Sequence, residues 1–280
     1  MGKTDRGMTH GYYDVKEIYP WLYSIWDPLG DVYCYLAVGN EKALLYDSTH
    51  GIGSLPDAIK TITDKDVITV ISHGHIDHSG GAYQFDSVWL PPADFVLCGK
   101  HTSAKGRKRN VLERLGSIGR PLPAGFDPDS YEVAGAGNLI PLESNRVFDL
   151  GGLTMEVVNM AGHTAGSVGL LAREHRVLLD SDAANAHVWL FLRESLSMRE
   201  YIAMLKRVRE LDFDNFFIGH SNEPKPKSDF AKYIKAASNA TIEKARRFPI
   251  FPEFGGYLYR EDGAEIVFSQ DKLDEASRSP

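Results

Sequence analysis

Three histidines and one aspartate lie within six consecutive positions of the chain. They are His73, His75, Asp77 and His78 in the stretch VISHGHIDHSGG, directly after the apolar run Val67–Ile71. Side chains two positions apart in extended backbone project to the same side, so His73 and His75 share one side. Neutral imidazoles and carboxylates are ligands of zinc and of related first-row metals. The spacing therefore predicts a metal site at the end of a buried strand.

Hydrophobic patterning defines the elements that must position these side chains. It predicts two strands, Val32–Val38 and Ala43–Tyr46, joined by a turn at residues 39–41. The segment SLPDAIKTI offers Ser54 as an N-cap and predicts a helix. The order strand, strand, helix, strand leads to the histidines, and the next helix is expected to begin near Gly80-Gly81.

A second strand-rich block lies farther along the chain. Its predicted strands are Arg146–Phe148, Leu153–Asn159, Ser167–Ala172 and Arg176–Leu179. The hairpin LLAREHRVLLDSD echoes the earlier YLAVGNEKALLYDS, and this weak internal repeat suggests two similar half-domains. Helices are predicted over Met198–Leu211 and Asp229–Arg247, and a late hairpin is predicted to turn at residues 261–263.

The stretch 91–137 is less regular, and we interpret it as an insertion with one helix near Val111–Leu115. It contains the basic run Lys100–Asn110. Such a run is typical of a solvated loop, and the alternative is that it attracts the anionic tail of a substrate.

The histidine cluster and three later segments resemble the metallo-β-lactamase-fold superfamily, whose signature H-x-H-x-D-H is complete here. The later segments match the family's motifs in order: NMAGHTAGSVGL offers His163, VLLDSDAAN offers Asp182, and FFIGHS offers His220. The resemblance covers residues 33–221. It implies an α/β fold, a four-layer αββα sandwich of two mixed β-sheets flanked by helices.

The resemblance also implies a ligand set for two divalent metal ions, expected to be zinc, with iron or manganese as alternatives. The first ion would take His73, His75 and His163, the second would take Asp77, His78 and His220, and Asp182 would bridge them. Asp77 and Asp182 are thus the expected catalytic carboxylates. Asp47 stands where the family commonly has an aspartate that orients a ligand imidazole, and the alternative is that it caps the turn STHG.

Two positions depart from the family pattern. Ala161 precedes Gly162 where proline is usual, so that turn is expected to be less constrained. Ser181 precedes Asp182 where glycine is common, and Asp180 is a competing carboxylate on the same face of a strand. Asp182 is preferred as the ligand because it follows the strand end.

The resemblance implies an enzyme, a hydrolase whose metal-bound hydroxide cleaves an acyl bond in a thioester, lactone or related ester. The alternatives are a mononuclear iron enzyme of the sulfur dioxygenase type and a phosphodiesterase or β-lactamase-like hydrolase. An aspartate rather than a cysteine at position 182 resembles the glyoxalase II and lactonase branches. The fold alone does not choose among these activities.

Composition sets the remaining expectations. The 280 residues carry a net charge of -7, which disfavours a nucleic-acid partner, and no apolar stretch long enough for a membrane span occurs. A cytoplasmic protein with a small-molecule substrate is therefore expected. We predict a catalytic domain over residues 1–225 and an extension of the same domain over 226–280. The aromatic segment RRFPIFPEFGGYLYR is expected to shape the substrate pocket or to make a homodimer contact.

Overall fold

The computed structural model of the chain describes residues 8–117, 119, 121, 123–133 and 135–273. These residues divide into two units. The first comprises residues 8–142 and 148–154, and the second comprises residues 143–147 and 155–273. The predicted boundary at residue 225 stays a prediction.

A mixed β-sheet forms the frame of the first unit. Its strands are β1 (Met8–His10), β2 (Tyr13–Tyr19), β3 (Leu22–Asp27), β4 (Val32–Val38), β5 (Ala43–Tyr46), β6 (Val67–Val70), β7 (Ser87–Leu90) and β8 (Asn138–Pro141). Each strand pairs with the next one in the chain, antiparallel up to β5 and parallel from β5 to β8. The predicted strands and the predicted turn between β4 and β5 are confirmed. Because β5 and β6 are parallel, the residues that follow them emerge at the same sheet edge.

Helices follow these strands. They are α1 (Leu55–Lys60), α2 (Ile76–Ser79), α3 (Phe95–His101), α4 (Ala104–Ser117) and α5 (Pro128–Val133). The Ser54 side chain accepts the Asp57 N–H at 3.2 Å, which confirms the predicted N-cap of α1. The buried face of α1, with Leu55, Ala58 and Ile59, joins the core of this unit.

The helix expected to begin near Gly80-Gly81 begins earlier, at Ile76. The two glycines are needed for a different reason. The backbone of the preceding loop passes so close to them that a side chain would not fit. A Cβ at Gly80 would lie 2.6 Å from the His50 carbonyl oxygen, and one at Gly81 would lie 2.3 Å from the Ser48 carbonyl oxygen. Hydrophobic patterning cannot show such a long-range approach.

The helix predicted near Val111–Leu115 is confirmed as part of α4. The prediction of a single helix and a solvated basic loop in residues 91–137 is wrong. The described residues of this stretch form three helices, α3 to α5, and most of the run from Lys100 lies in α3 and α4. Arg107 is fully buried, with its guanidinium carbon 4.5 Å from the centre of the Tyr83 ring and 4.8 Å from that of Tyr131. It also donates to the carbonyl oxygens of Gly80 and Thr102. Aromatic faces and carbonyl groups thus replace water around this cation.

Two sheets organise the second unit, and β9 (Val147–Asp149) lies at the boundary between the units. The strands of the second unit are β10 (Thr154–Asn159), β11 (Val168–Ala172), β12 (Val177–Ser181), β13 (His187–Leu190), β14 (Asn215–Ile218), β15 (Ser221–Pro226), β16 (Arg246–Arg247), β17 (Tyr257–Glu261) and β18 (Ala264–Phe268). One sheet has the order β15-β14-β12-β11-β10, and the other has the order β13-β18-β17-β16. The predicted strands of this block are confirmed to within two residues.

Three helices accompany these sheets, α6 (Met198–Arg209), α7 (Phe230–Asn239) and α8 (Gln270–Leu273). The prediction that a helix runs from Asp229 to Arg247 is wrong in its length. Ala240 adopts extended backbone (φ -65°, ψ 122°), and the chain then turns toward β16. The predicted hairpin turn is confirmed, since Asp262 and Gly263 both have positive φ, at 51° and 86°.

The C-terminal residues complete a sheet that begins earlier in the chain. Strand β13, HVWL, pairs in parallel with β18, with His187 opposite Glu265 and Leu190 opposite Phe268. The described residues after position 226 are therefore integral to the second unit. None of the described helices combines the length and apolar character needed to cross a membrane.

Candidate metal centre

The first unit gathers the contiguous histidine cluster at the carboxyl end of β6. His75 is extended (φ -71°, ψ 151°) and caps α2, so Asp77 and His78 lie in the first turn of that helix. The His73 ring centre lies 4.8 Å from that of His75 and 4.3 Å from that of His78. His78 Nε2 lies 3.6 Å from Asp77 Oδ2. The three imidazoles are buried, and the Asp77 side chain is 28% exposed.

Gly74 allows the backbone between the two buried histidines to pack closely against the start of α3. A Cβ at Gly74 would lie 2.8 Å from the Cys98 backbone nitrogen and 3.0 Å from the Asp94 carbonyl oxygen. The Gly74 N–H donates to Asp94 Oδ2 at 2.8 Å. The buried Asp94 thus fixes the backbone between His73 and His75.

Asp47 connects the end of β5 to the histidines that follow β6. Its Oδ1 accepts the Ser72 N–H at 2.7 Å, and its Oδ2 accepts the Ser72 hydroxyl at 3.0 Å. Oδ2 also lies 2.9 Å from His78 Nδ1, and the Ser72 Oγ lies 2.8 Å from His73 Nδ1. The buried carboxylate therefore orients His78 directly and His73 through Ser72.

The second unit holds three candidate ligands at the ends of different strands. His163 follows β10, Asp182 follows β12 and His220 follows β14. Asp182 lies between the two histidines, with Oδ2 3.8 Å from His163 Nε2 and Oδ1 3.6 Å from His220 Nε2. His163 Nδ1 lies 2.8 Å from the Trp189 carbonyl oxygen, which orients that ring.

The competing carboxylate, Asp180, differs from Asp182 in its surroundings and hydrogen-bond partners. Ser181 between them has a positive φ of 59°, so the chain turns where a regular strand was expected. Asp180 is buried and accepts the Ala184 N–H at 2.7 Å, and its burial raises its pKa to about 8, with the charge of Asp182 adding to the effect. Asn185 Nδ2 donates to Asp182 Oδ1 at 3.1 Å.

Ala161, where the family usually has proline, has a local partner that proline would not allow. Its N–H donates to Asn159 Oδ1 at 3.1 Å. Arg207 in turn donates to the Asn159 carbonyl oxygen at 2.6 Å. The turn before His163 is therefore held by side chains rather than by a pyrrolidine ring.

The donor set fits divalent metal ions. The Nδ1 atoms of His73, His78 and His163 face Ser72, Asp47 and the Trp189 carbonyl, which directs each Nε2 as the ligand atom. Two ligands of one tetrahedral zinc ion at about 2.0–2.1 Å are about 3.4 Å apart. The separations between carboxylate oxygens and Nε2 atoms, 3.6 to 3.8 Å, are close to that spacing.

A buried acid–imidazole pair lies outside the predicted ligand set. Asp27 Oδ2 lies 3.2 Å from His50 Nδ1 and accepts the His50 N–H at 3.1 Å, while Tyr12 donates to Asp27 Oδ1 at 2.6 Å. Burial opposes ionisation of Asp27, yet the His50 and Tyr12 contacts hold its pKa below the usual value. No sequence spacing connects the two residues, because Asp27 ends β3 and His50 lies in the loop after β5.

Comparison with known families decides the identity of the fold. A family model described as the Metallo-beta-lactamase superfamily matches residues 27–220, a stretch that includes all seven predicted ligands. The chain belongs to this superfamily. The recognition made from the H-x-H-x-D-H signature is thus confirmed.

Two curated relatives are similar to part of this superfamily member. The acyl-coenzyme A thioesterase MBLAC2 of Gallus gallus is 24% identical over 188 residues, 63% of this chain and 66% of the relative. The hydroxyacylglutathione hydrolase GloC of Haemophilus influenzae is 23% identical over 133 residues, 46% of this chain and 57% of the relative. The chain thus spans less than two thirds of the length of each of these relatives. Both are consistent with the predicted glyoxalase II and lactonase-like branch.

Solved structures support the fold. A metallo-beta-lactamase from Pontibacter korlensis has a TM-score of 0.58 at 13% identity, covering 81% of this chain and 100% of that chain. The predicted fold class, an α/β metallo-β-lactamase fold with mixed sheets flanked by helices, is confirmed.

Proposed function

We propose that the chain is a metal-dependent hydrolase that cleaves an acyl bond of a small molecule, with a thioester as the first substrate class. The observation that carries this proposal is the pattern of histidines whose Nδ1 atoms are held by Asp47, Ser72 and the Trp189 carbonyl oxygen. A hydrogen bond at Nδ1 fixes the tautomer and the orientation of a metal-ligating imidazole. Asp77 and Asp182 add carboxylate oxygens beside those rings.

The ligand set that the superfamily resemblance implies would serve two divalent ions, with zinc as the expected metal. His73, His75 and His163 would hold one ion, Asp77, His78 and His220 the other, and Asp182 would contact both. When bound, such ions lower the pKa of a water molecule toward about 7 and polarise a carbonyl oxygen.

The side chains of the chain itself have distinct tasks in this proposal. Asp77 and Asp182 accept hydrogen bonds from the attacking water and so orient its lone pair toward the carbonyl carbon. Asn185 holds Asp182 through its 3.1 Å hydrogen bond. In the reaction, a C–O bond forms, the C–S bond breaks, and the departing thiolate takes up a proton, so the products are a carboxylic acid and a thiol.

The choice of a thioester rests on the relatives. One is named an acyl-coenzyme A thioesterase and the other a hydroxyacylglutathione hydrolase. Neither name concerns nucleic acid, which agrees with the acidic net charge of -7. The cytoplasmic location and the homodimer stay predictions.

Metal analysis of the freshly purified protein, followed by a substrate panel, tests the proposal. We expect two zinc ions per chain, hydrolysis of thioesters, loss of activity on chelation and recovery with zinc. His175→Ala, at an exposed position outside the ligand set, serves as the control variant. Fewer than one metal per chain together with no hydrolysis of any thioester, lactone, β-lactam or phosphodiester would refute the proposal. Iron, together with oxygen consumption in the presence of a persulfide, would favour the dioxygenase alternative instead.

A further inference from the structure

Five aromatic side chains of the second unit form one cluster, which we call the aromatic cluster. Its members are Trp189, Phe191, Phe248, Phe251 and Phe254. Trp189 packs edge to face on Phe191, Phe248 and Phe251, with ring centres 5.5, 6.1 and 5.9 Å apart. The ring centre of Phe254 lies 6.2 Å from that of Phe191 and 6.2 Å from that of Phe251. Such pairing arranges several rings into one apolar surface.

One side of the aromatic cluster is buried, and the other side is exposed to solvent. Phe191 is 2% exposed, whereas Phe251 is 45% exposed and its neighbour Ile250 is 47% exposed. Trp189, Phe248 and Phe254 are half-buried. Among the described residues, Ile250 and Phe251 are thus two large apolar side chains that are exposed and adjacent in sequence. They lie beside the half-buried rings of the aromatic cluster. Contiguous exposed apolar surface of this kind marks binding sites.

The backbone of Phe251 is strained. Phe251 lies in the left-handed region, with φ 52° and ψ 60°, which is costly for a bulky side chain. Phe251 begins the short turn Pro252–Phe254, and Gly255 at its end is also left-handed. Strain of this kind persists where the surrounding structure fixes it, and it concentrates at ligand-binding sites. In this backbone conformation the Phe251 ring packs edge to face on Trp189, with ring centres 5.9 Å apart.

The aromatic cluster adjoins a proposed metal ligand. The carbonyl oxygen of Trp189 accepts the hydrogen bond that orients His163, at 2.8 Å from Nδ1. The Ser195 hydroxyl, at 2.8 Å from the His163 carbonyl oxygen and 3.4 Å from that of Trp189, ties the same two residues together. The backbone of Trp189 therefore connects the aromatic cluster to the proposed ligand His163.

Positive charge lies next to the aromatic cluster. Arg246 and Arg247 are exposed on β16, directly before Phe248. Arg247, whose guanidinium carbon lies 4.3 Å from the centre of the Tyr257 ring, lines a surface pocket of about 520 Å³ together with Phe254 and the carboxylate of Asp271. The apolar rings could contact an acyl chain, and the neighbouring arginines could contact the negative charge of the thiol that carries it.

We propose that the aromatic cluster is a subsite for the acyl chain of the substrate, so that the enzyme prefers thioesters of medium and long aliphatic acids. This inference rests on the proposed function, and it assigns the substrate class of the same site. Phe251 and Trp189 are the specificity-determining residues, and neither takes part in bond cleavage.

The dependence of kcat/KM on the length of the acyl chain tests the proposed subsite. Acetyl, hexanoyl and dodecanoyl thioesters of N-acetylcysteamine have the same neutral thiol, so only the acyl chain varies. In the wild-type protein we expect kcat/KM to rise about twofold to fourfold per methylene group over the first several carbons. Phe251→Gly suits the left-handed backbone, so it removes the ring without adding strain. We expect it to lower kcat/KM about tenfold for the dodecanoyl ester and less than twofold for the acetyl ester.

Val96→Ala is the matched control, since Val96 is 70% exposed and belongs to the first unit. It should leave the chain-length profile unchanged. Phe248→Ala provides a second position in the aromatic cluster. A profile that is flat in the wild-type protein, or that neither Phe251→Gly nor Phe248→Ala alters, would overturn the subsite.

A binding measurement separates this inference from the proposed function. The S-dodecyl thioether of N-acetylcysteamine has no ester bond, and calorimetry gives its affinity for the purified protein. We expect Phe251→Gly to weaken its binding about tenfold and to leave the S-ethyl thioether unaffected. If that result appears while no thioester is hydrolysed, the subsite stands and the proposed function fails. If Phe251→Gly instead abolishes dimer formation or vesicle binding without changing thioether affinity, the subsite is refuted.

Discussion

The two groups of candidate ligands are held in place in different ways. In the first unit the ligands are contiguous, and side chains orient them: Asp47 contacts His78, and Ser72 contacts His73. In the second unit the ligands follow three separate strands, and a backbone carbonyl, that of Trp189, orients His163. The orientation of His73 and His78 depends on single side chains, whereas that of His163 depends on the backbone position of Trp189. Substitutions next to the ligands should therefore be more damaging in the first unit.

The largest effect is expected for a ligand shared by the whole proposed centre. Asp182→Asn removes a carboxylate that lies within 3.8 Å of both His163 and His220. Because a metal supplies several kcal/mol of transition-state stabilisation, we expect thioesterase kcat/KM to fall by at least about 10³-fold, with reduced metal content. Asn185→Ala, which removes only a hydrogen bond to Asp182, should have a much smaller effect. Full activity of Asp182→Asn would show that Asp182 is not a ligand.

The orienting groups test the contrast between the two units directly. Asp47→Asn removes the carboxylate that holds His78 and Ser72, and we expect zinc affinity to fall about 10- to 100-fold in competition with a chelator. Ser195→Ala leaves the Trp189 carbonyl in place, so its effect on zinc affinity should be less than about threefold by the same measure. If the two variants lose affinity equally, the contrast between side-chain and backbone support is wrong.

The Asp27–His50 pair connects the end of β3 to the loop that follows β5. Its contribution to stability tests the support that side chains give to the first unit. The pKa of Asp27 is lowered in the folded protein, so this carboxylate stabilises the fold above its unfolded pKa. That contribution is lost as the pH falls below about 4 toward the lower folded pKa. Asp27→Asn should lower the unfolding free energy at pH 7 by about 1–3 kcal/mol, because it weakens the hydrogen bonds that a buried carboxylate accepts from Tyr12 and His50.

Urea unfolding between pH 7 and pH 3 measures this contribution, as the difference between wild type and variant. The difference should shrink as the pH falls below about 4. Asp86→Asn at an exposed position is the control and should stay within about 0.5 kcal/mol of wild type. A difference that is constant with pH would contradict ionisation of Asp27 as the source of the stability.

The smallest effect is expected at the turn before His163. Ala161→Pro restores the residue usual in the family, but it deletes the N–H that donates to Asn159 Oδ1. Reduced freedom of the unfolded chain and the lost hydrogen bond oppose each other, so the unfolding free energy should change by less than about 1 kcal/mol. Thermal denaturation measures it. A loss of several kcal/mol would show that the Asn159 bond is essential to the turn.

The sequence predicted the features whose cause is local. The H-x-H-x-D-H stretch, the Ser54 cap and the hairpin turn at residues 261–263 each depend on neighbouring residues, and the fold followed from recognising the motifs in order. The burial of Arg107 and the pairing of Asp27 with His50 depend on residues far apart in the chain. So does the parallel pairing of β13 with β18. Hydrophobic periodicity does not reveal such long-range contacts, so it gave no sign that Arg107 in α4 is buried.

Anomalous diffraction from crystals grown with zinc tests the central claim most directly, because it locates each ion relative to both ligand groups. The account predicts two peaks per chain, one beside His73, His75 and His163 and the other beside Asp77, His78 and His220, with Asp182 contacting both. Zinc held by the histidines of one unit alone, or no peak at these residues, would contradict it.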